Sequence, residues 1–230
     1  MKTIELNNLT FRWPNQKYNL LDIPSLIIEE GEKVFLKGPS GSGKSSLLSL
    51  LAGISQPTTG NIALLRQTFS QLKSTHRDQF RADNIGYIFQ MFNLLPYLSV
   101  IDNVLLPCRF SKERRQQLGK DMHVEAKRLL SQLQLPDDCL QRPVNELSIG
   151  QQQRVAAARA LIGSPKLLIA DEPTSALDHD NREAFIQLLM EECDRANITL
   201  LFVSHDETLE TLFDRSISLN TINLAAGDPK

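Results

Sequence analysis

This 230-residue sequence has few cysteines, no surplus of basic charge and no long apolar runs, and each shortage excludes something. The three cysteines, Cys108, Cys139 and Cys193, are scattered and odd in number. They are expected to be structural thiols in a reducing cytosol rather than a disulfide frame or a metal site. A formal net charge of −2 gives no electrostatic case for nucleic acid as a partner. No apolar run approaches the roughly 18 residues that a membrane span needs, and Met1 to Glu5 lack the apolar core of a signal peptide. Internal repeats and low-complexity tracts are also lacking. The remainder is ordinary, with 41% hydrophobic and 23% charged residues, and suits one sizeable domain or a domain carrying a subdomain.

One stretch stands out against this background. Gly38, Pro39, Ser40, Gly41, Ser42, Gly43, Lys44, Ser45 and Ser46 fill every fixed position of the phosphate-loop pattern G-x-x-x-x-G-K-[ST]. A short apolar run (34–36) precedes them and a helix-like stretch (47–52) follows. Glycines let such a loop curl its N–H groups toward phosphate oxygens, and the following helix adds the positive end of its dipole. Lys44 is expected to reach the β- and γ-phosphates, and the Ser45 hydroxyl to ligate Mg²⁺.

The remainder of the chain reads as an α/β fold. Residues 3–11 and 18–28 predict two strands, 61–65 a short strand, 70–81 a polar helix, and 84–90 a strand closed by Gln90. From 91 to about 160 the pattern is helical, with apolar spacing of three and four over 99–108 and 121–135. Between those two segments lies a strongly charged run, 109–120, which predicts a solvated helix face or loop. Ser148 falls near the start of a helix expected over 152–162. Two continuous apolar runs, 166–170 and 199–203, predict buried parallel strands, with a helix over 181–196 between them. Short strands are expected near 216–219 and 221–224.

Both buried runs end in groups capable of chemistry. The first ends in Asp171 and Glu172, the second in Ser204 and His205. Beside a phosphate loop, Asp171 is expected near the Mg²⁺ shell, and Glu172 as the general base that polarises the attacking water. His205 is expected to hydrogen-bond the γ-phosphate or to hold the water and Glu172 in line. His76, His123 and His179 lie in polar stretches and are expected to have no chemical part. Trp13, the only tryptophan, reads either as a half-buried core aromatic or as a platform for a base.

These residues together resemble the ATP-binding subunit of an ABC (ATP-binding cassette) transporter, over essentially the whole chain. Gly38 to Ser45 is similar to the Walker A loop, Gln90 to the Q-loop glutamine, and 167–172 to Walker B. Leu147, Ser148, Ile149, Gly150 and Gln151 resemble the family signature Leu-Ser-Gly-Gly-Gln. Ser175, Ala176, Leu177 and Asp178 resemble the D-loop, and His205 the switch histidine. Trp13 falls where the family places its adenine-stacking aromatic. The resemblance implies a phosphate-loop NTPase core with a mostly parallel sheet (1–90 and 161–230). It also implies an N-terminal antiparallel β subdomain and an inserted helical subdomain (91–160). ATP and Mg²⁺ are implied as ligands, with Ser45, Gln90 and Asp171 at the metal.

A second copy is implied as partner, paired head to tail so that Ser148, Gly150 and Gln151 of one copy face the ATP held by the other. The subdomain 91–160 is implied to meet a separate membrane permease at the cytoplasmic face of the membrane. Residues 77–104 are similar to the subgroup serving lipoprotein-releasing and macrolide-export permeases. A non-transport ABC ATPase that signals through a membrane partner is the alternative. One departure is visible: Ile149 replaces the first signature glycine. If that position needs a positive φ, isoleucine is costly and slows hydrolysis; if it is already helical, the side chain merely packs.

Overall fold

The computed structural model describes residues 1–175, 177 and 179–225. Its strands are β1 (Lys2–Phe11), β2 (Leu21–Glu29), β3 (Lys33–Lys37), β4 (Thr59–Leu64), β5 (Gln67–Thr68), β6 (Ile85–Ile88), β7 (Leu167–Asp171), β8 (Thr199–Val203) and β9 (Arg215–Ser218). Its helices are α1 (Lys44–Leu51), α2 (Ser74–Asn84), α3 (Val100–Phe110), α4 (Lys112–Leu118), α5 (Met122–Gln132), α6 (Ile149–Leu161), α7 (His179–Ala196) and α8 (Leu219–Ile222). They divide into two compact units, Met1–Arg81 with Thr199–Lys230, and Ala82–Ile198.

The first unit holds an antiparallel sheet in the order β2-β1-β4-β5. On β1 the buried residues run Ile4, Leu6, then Leu9 and Phe11, so the alternation slips by one. Asn8 takes up the extra residue at φ 47, and the β1–β4 register shifts at the same place, between Asn7 and Thr10. Asparagine is among the few side chains that enter this region at little cost. The unit also holds three parallel strands, with β8 and β9 on either side of β3. Val34, Phe35 and Leu36 are buried on β3, as is every residue of β8, the continuous burial expected of a parallel strand with both faces covered. Phe35, Phe202 and Phe213 close one side, with ring centroids 5.0 to 6.2 Å apart.

The second unit pairs β6 and β7 in parallel, Ile85 opposite Leu167 through Ile88 opposite Ala170. Around them pack the helices, α6 burying Val155, Ala156, Ala157, Ala158 and Ala160. The α/β architecture and the antiparallel N-terminal sheet are as expected.

Two expectations need correction. The charged run 109–120 is not simply solvated: Arg114, on α4, is 1% exposed. Its guanidinium donates to the carbonyls of Ala82 (2.8 Å), Ile162 (2.7 Å) and Ile85 (2.8 Å), which offsets burial of the charge. Burial still lowers its pKa to about 10. The segment 221–224 is not a strand. Leu219–Ile222 is a turn of helix, and Asn223 behind it accepts from Asp22 N (2.7 Å) and donates to Leu20 O (3.0 Å).

Candidate nucleotide site

In the first unit the phosphate loop joins β3 to α1. Gly43 caps α1 at φ 101, where a side chain is strained, and a Cβ there would meet Leu21 Cδ2 at 2.7 Å. No side chain caps this helix, so its first N–H groups are left for another acceptor. Lys44 is buried, and its ammonium donates to the carbonyls of Gly38 (2.6 Å) and Pro39 (3.0 Å), folding back across its own loop. Ser42 Oγ is buried with no hydrogen-bond partner among the described residues. Ser45 is exposed and Ser46 buried. A donor-rich loop with an uncapped helix end, a buried cation and an orphan hydroxyl fits a phosphate chain.

Two openings border this loop. A cleft of about 310 Å³ lies between Gly38 and Pro39 and the segment Ser204–His205. A larger one of about 940 Å³ runs from the turn 15–20 to Gly41 and Ser42 and reaches Asn220 and Asn223. His205 is exposed at the end of β8, where Ser204 Oγ accepts from Asp206 N at 3.1 Å. The loop and His205 are thus brought together. Trp13 is 42% exposed just beyond β1 and packs T-shaped against Phe11 with centroids 5.0 Å apart, so it is not buried in the core. Lys37, which sequence reasoning passed over, pairs with Glu210 at 2.7 Å, linking the strand before the loop to the segment after His205. That contact raises the lysine pKa and lowers the glutamate's. The signal was a lysine closing an otherwise apolar strand.

The second unit carries the other expected residues. Gln90 is exposed in the turn that follows β6, two residues beyond the strand's end. Asp171 is the last residue of β7, and its charge, together with the larger effect of burial, pushes the Tyr87 hydroxyl pKa upward. Glu172 follows at φ 46, a left-handed conformation that costs a non-glycine residue about 1–3 kcal/mol and that clusters at functional sites. Strand alternation ends here, because Glu172 lies outside β7. Ser175 N donates to the Glu172 carbonyl at 3.2 Å and closes the turn. Of the predicted D-loop, Ala176 and Asp178 lie outside the described residues.

The signature residues cap α6. Ser148 is the N-cap; its Oγ accepts from Gln151 N (3.3 Å), while Gln151 Oε1 accepts from Ser148 N (2.9 Å). This reciprocal capping box fixes the helix entry. As an acceptor Ser148 keeps its own O–H to donate. Ile149 is the first helical residue and is absent from the positive-φ residues, so isoleucine strains nothing. Its side chain, however, stands 59% exposed.

The ABC transporter family model matches residues 21–175, more than half of the chain. The chain belongs to the ABC transporter family. Among its relatives is the lipoprotein-releasing system ATP-binding protein LolD of Syntrophotalea carbinolica, 36% identical over 218 residues and 94% of each chain. The macrolide export ATP-binding/permease protein MacB of Rhodopseudomonas palustris is 37% identical over 219 residues, 94% of this chain but only 33% of MacB. A solved dimer of the ATP-binding cassette MJ0796, in a post-hydrolysis state bound to ADP and Pi, superposes with a TM-score of 0.84 at 35% identity, covering 94% and 93% of the two chains. The subgroup read from residues 77–104 agrees with these ABC relatives. Among the described residues no helix is long and apolar enough to cross a membrane.

Proposed function

We propose that this chain is the ATP-hydrolysing motor subunit of an ABC transporter, paired with a second copy and driving a separate membrane permease of the lipoprotein-release or export type. The observation that supports this best is a coincidence within one chain. An uncapped, lysine-bearing phosphate loop occurs with a capped signature helix whose hydroxyl donor is left over. The loop N–H groups, Lys44 and Ser46 bind the phosphates of ATP, and Trp13 offers its exposed ring to the base. Ser45, Asp171 and Gln90 supply oxygen donors of the kind Mg²⁺ takes, the metal keeping water and phosphate oxygens as its remaining ligands.

Glu172 polarises a water whose oxygen forms the new bond to the γ-phosphorus as the bond to the β–γ bridging oxygen breaks, leaving ADP and phosphate. His205 holds the oxygens of the transferred γ-phosphoryl group by hydrogen bond. Ser148, Gly150 and Gln151 act on the nucleotide of the other copy. The segment 91–160 is the subdomain that meets the permease, which places the chain peripherally on the cytoplasmic face of the membrane. Measuring ATP binding by calorimetry tests the reading at its base. Lys44→Ala removes the buried ammonium and is expected to abolish binding; unchanged affinity refutes the phosphate role of the loop.

A further inference from the structure

Arg159 is the only charged residue on the buried face of the last turn of α6, in the run Ala156-Ala157-Ala158-Arg159-Ala160. It is 8% exposed, and among the described residues it meets no carboxylate. Instead its guanidinium donates through Nη1 to the carbonyl of Asn93 at 2.7 Å and through Nη2 to the carbonyl of Phe92. Burial lowers its pKa to about 10, still far enough above neutrality to keep the charge. Phe92 and Asn93 are consecutive non-glycine residues at φ 58 and φ 50. Two adjacent left-handed residues persist only where their surroundings over-determine them. The stretch beyond is held from the other side by buried Asn103, which accepts from Leu95 N (2.8 Å) and donates to Leu95 O, Leu98 O and Ser99 O.

The segment thus clamped begins two residues after Gln90, and its turn is closed by Phe92 N donating to Phe89 O at 2.9 Å. The helix that clamps it starts at the signature cap Ser148, roughly 16 Å along the axis from Arg159 at 1.5 Å per residue. One rigid rod therefore has the signature at its N-terminus and the Gln90 turn gripped near its C-terminus. We propose that Arg159 is a positioning residue that sets where Gln90 sits and makes that position follow the signature helix. Its two charge-assisted bonds hold the Phe92–Asn93 turn in its strained form, so movement of α6 moves the Gln90 turn with it. This rests on the assignment of Gln90 to the nucleotide site proposed above.

A double-mutant cycle on the purified full chain tests it, with kcat, KM for ATP and melting temperature read for each variant. Arg159→Lys keeps the charge but loses the two-carbonyl fork. It is expected to lower kcat about tenfold and to leave KM within about twofold, the pattern of a misplaced catalytic group. In a Gln90→Ala background the same substitution is expected to lower kcat no further. A purely structural role would multiply the two losses, and that result, or an unchanged kcat in Arg159→Lys alone, overturns the proposal. If Arg159→Lys does not fold, Asn93→Gly carries the same test. It frees the left-handed turn without touching the guanidinium, and is expected to lower kcat only while Gln90 is present; a loss that persists without Gln90, or no loss at all, overturns the proposal. If Gln90→Ala alone is silent, the assignment of Gln90 fails and this inference with it, an outcome distinct from multiplied losses.

Discussion

Gly150→Ala separates what the fold needs at the signature from what the reaction needs. Gly150 is the second residue of α6 and is absent from the positive-φ glycines, so alanine meets no backbone strain. Among the described residues, a Cβ built there meets only Leu177 Cδ2, at 3.4 Å, an ordinary contact. Alanine is better than glycine in a helix interior by about 0.8–1.0 kcal/mol, and in a first turn about half of that is a fair expectation. The variant should therefore be more stable by about 0.5 kcal/mol, a rise in melting temperature of roughly 1–2 °C for a chain of this size. Turnover should move the other way. If the missing Cβ is room for a phosphate oxygen held by the second copy, an added methyl displaces the signature helix from that oxygen by about an ångström. Misplacement on that scale costs up to about a hundredfold in rate. Scanning calorimetry and a phosphate-release assay on the same preparation read both effects. A stabilised variant that hydrolyses ATP at the parent rate would refute the reasoning, because then nothing inside or outside the chain requires glycine at 150.

Ile149→Gly should lose at most about 1 kcal/mol of helix stability and raise turnover, since a 59%-exposed apolar side chain beside Ser148 hinders a polar approach. Unchanged phosphate release would show that the isoleucine stands clear of the nucleotide. Arg114→Met leaves three carbonyls without their donor and should destabilise the chain by about 3–5 kcal/mol. Urea titration followed by circular dichroism checks this, and a loss under 1 kcal/mol would contradict the three-carbonyl account.

The candidate site was legible in the sequence because a motif fixes both residue type and spacing. The loop 38–46 between strand and helix and the strand exit at Asp171 and Glu172 fall where they were expected, while the helix expected from 152 begins three residues earlier, directly behind Ser148. What escaped was decided by partners far away in sequence. Arg114 looks like one more solvated charge among Arg109, Lys112 and Arg115, and only the carbonyls of Ala82, Ile85 and Ile162 reveal it as a core residue. Residues 221–224 alternate well enough for a strand, yet the Asn223 amide, bound to residues 20 and 22, settles the segment otherwise. Arg159 did leave a trace, since a lone charge on the buried face of an alanine-rich helix needs acceptors. Of its acceptors, the left-handed carbonyls at 92 and 93, only Asn93 is of a residue type that favours that conformation, and Phe92 gives no sign of it. Ile149 shows the reverse: a departure from the family pattern reads as strain in the sequence, and the helical backbone removes the strain while leaving the side chain outside.

The central claim is that the nucleotide site is shared between two copies, and light scattering on Glu172→Gln tests it most directly. Removing the general base while keeping the shape should leave ATP bound and unhydrolysed. With Mg²⁺ and saturating ATP the variant should run at twice the 25.9 kDa mass of one chain, and return to one chain when ATP is replaced by ADP. A particle that stays at the single-chain mass with ATP demonstrably bound would contradict the account.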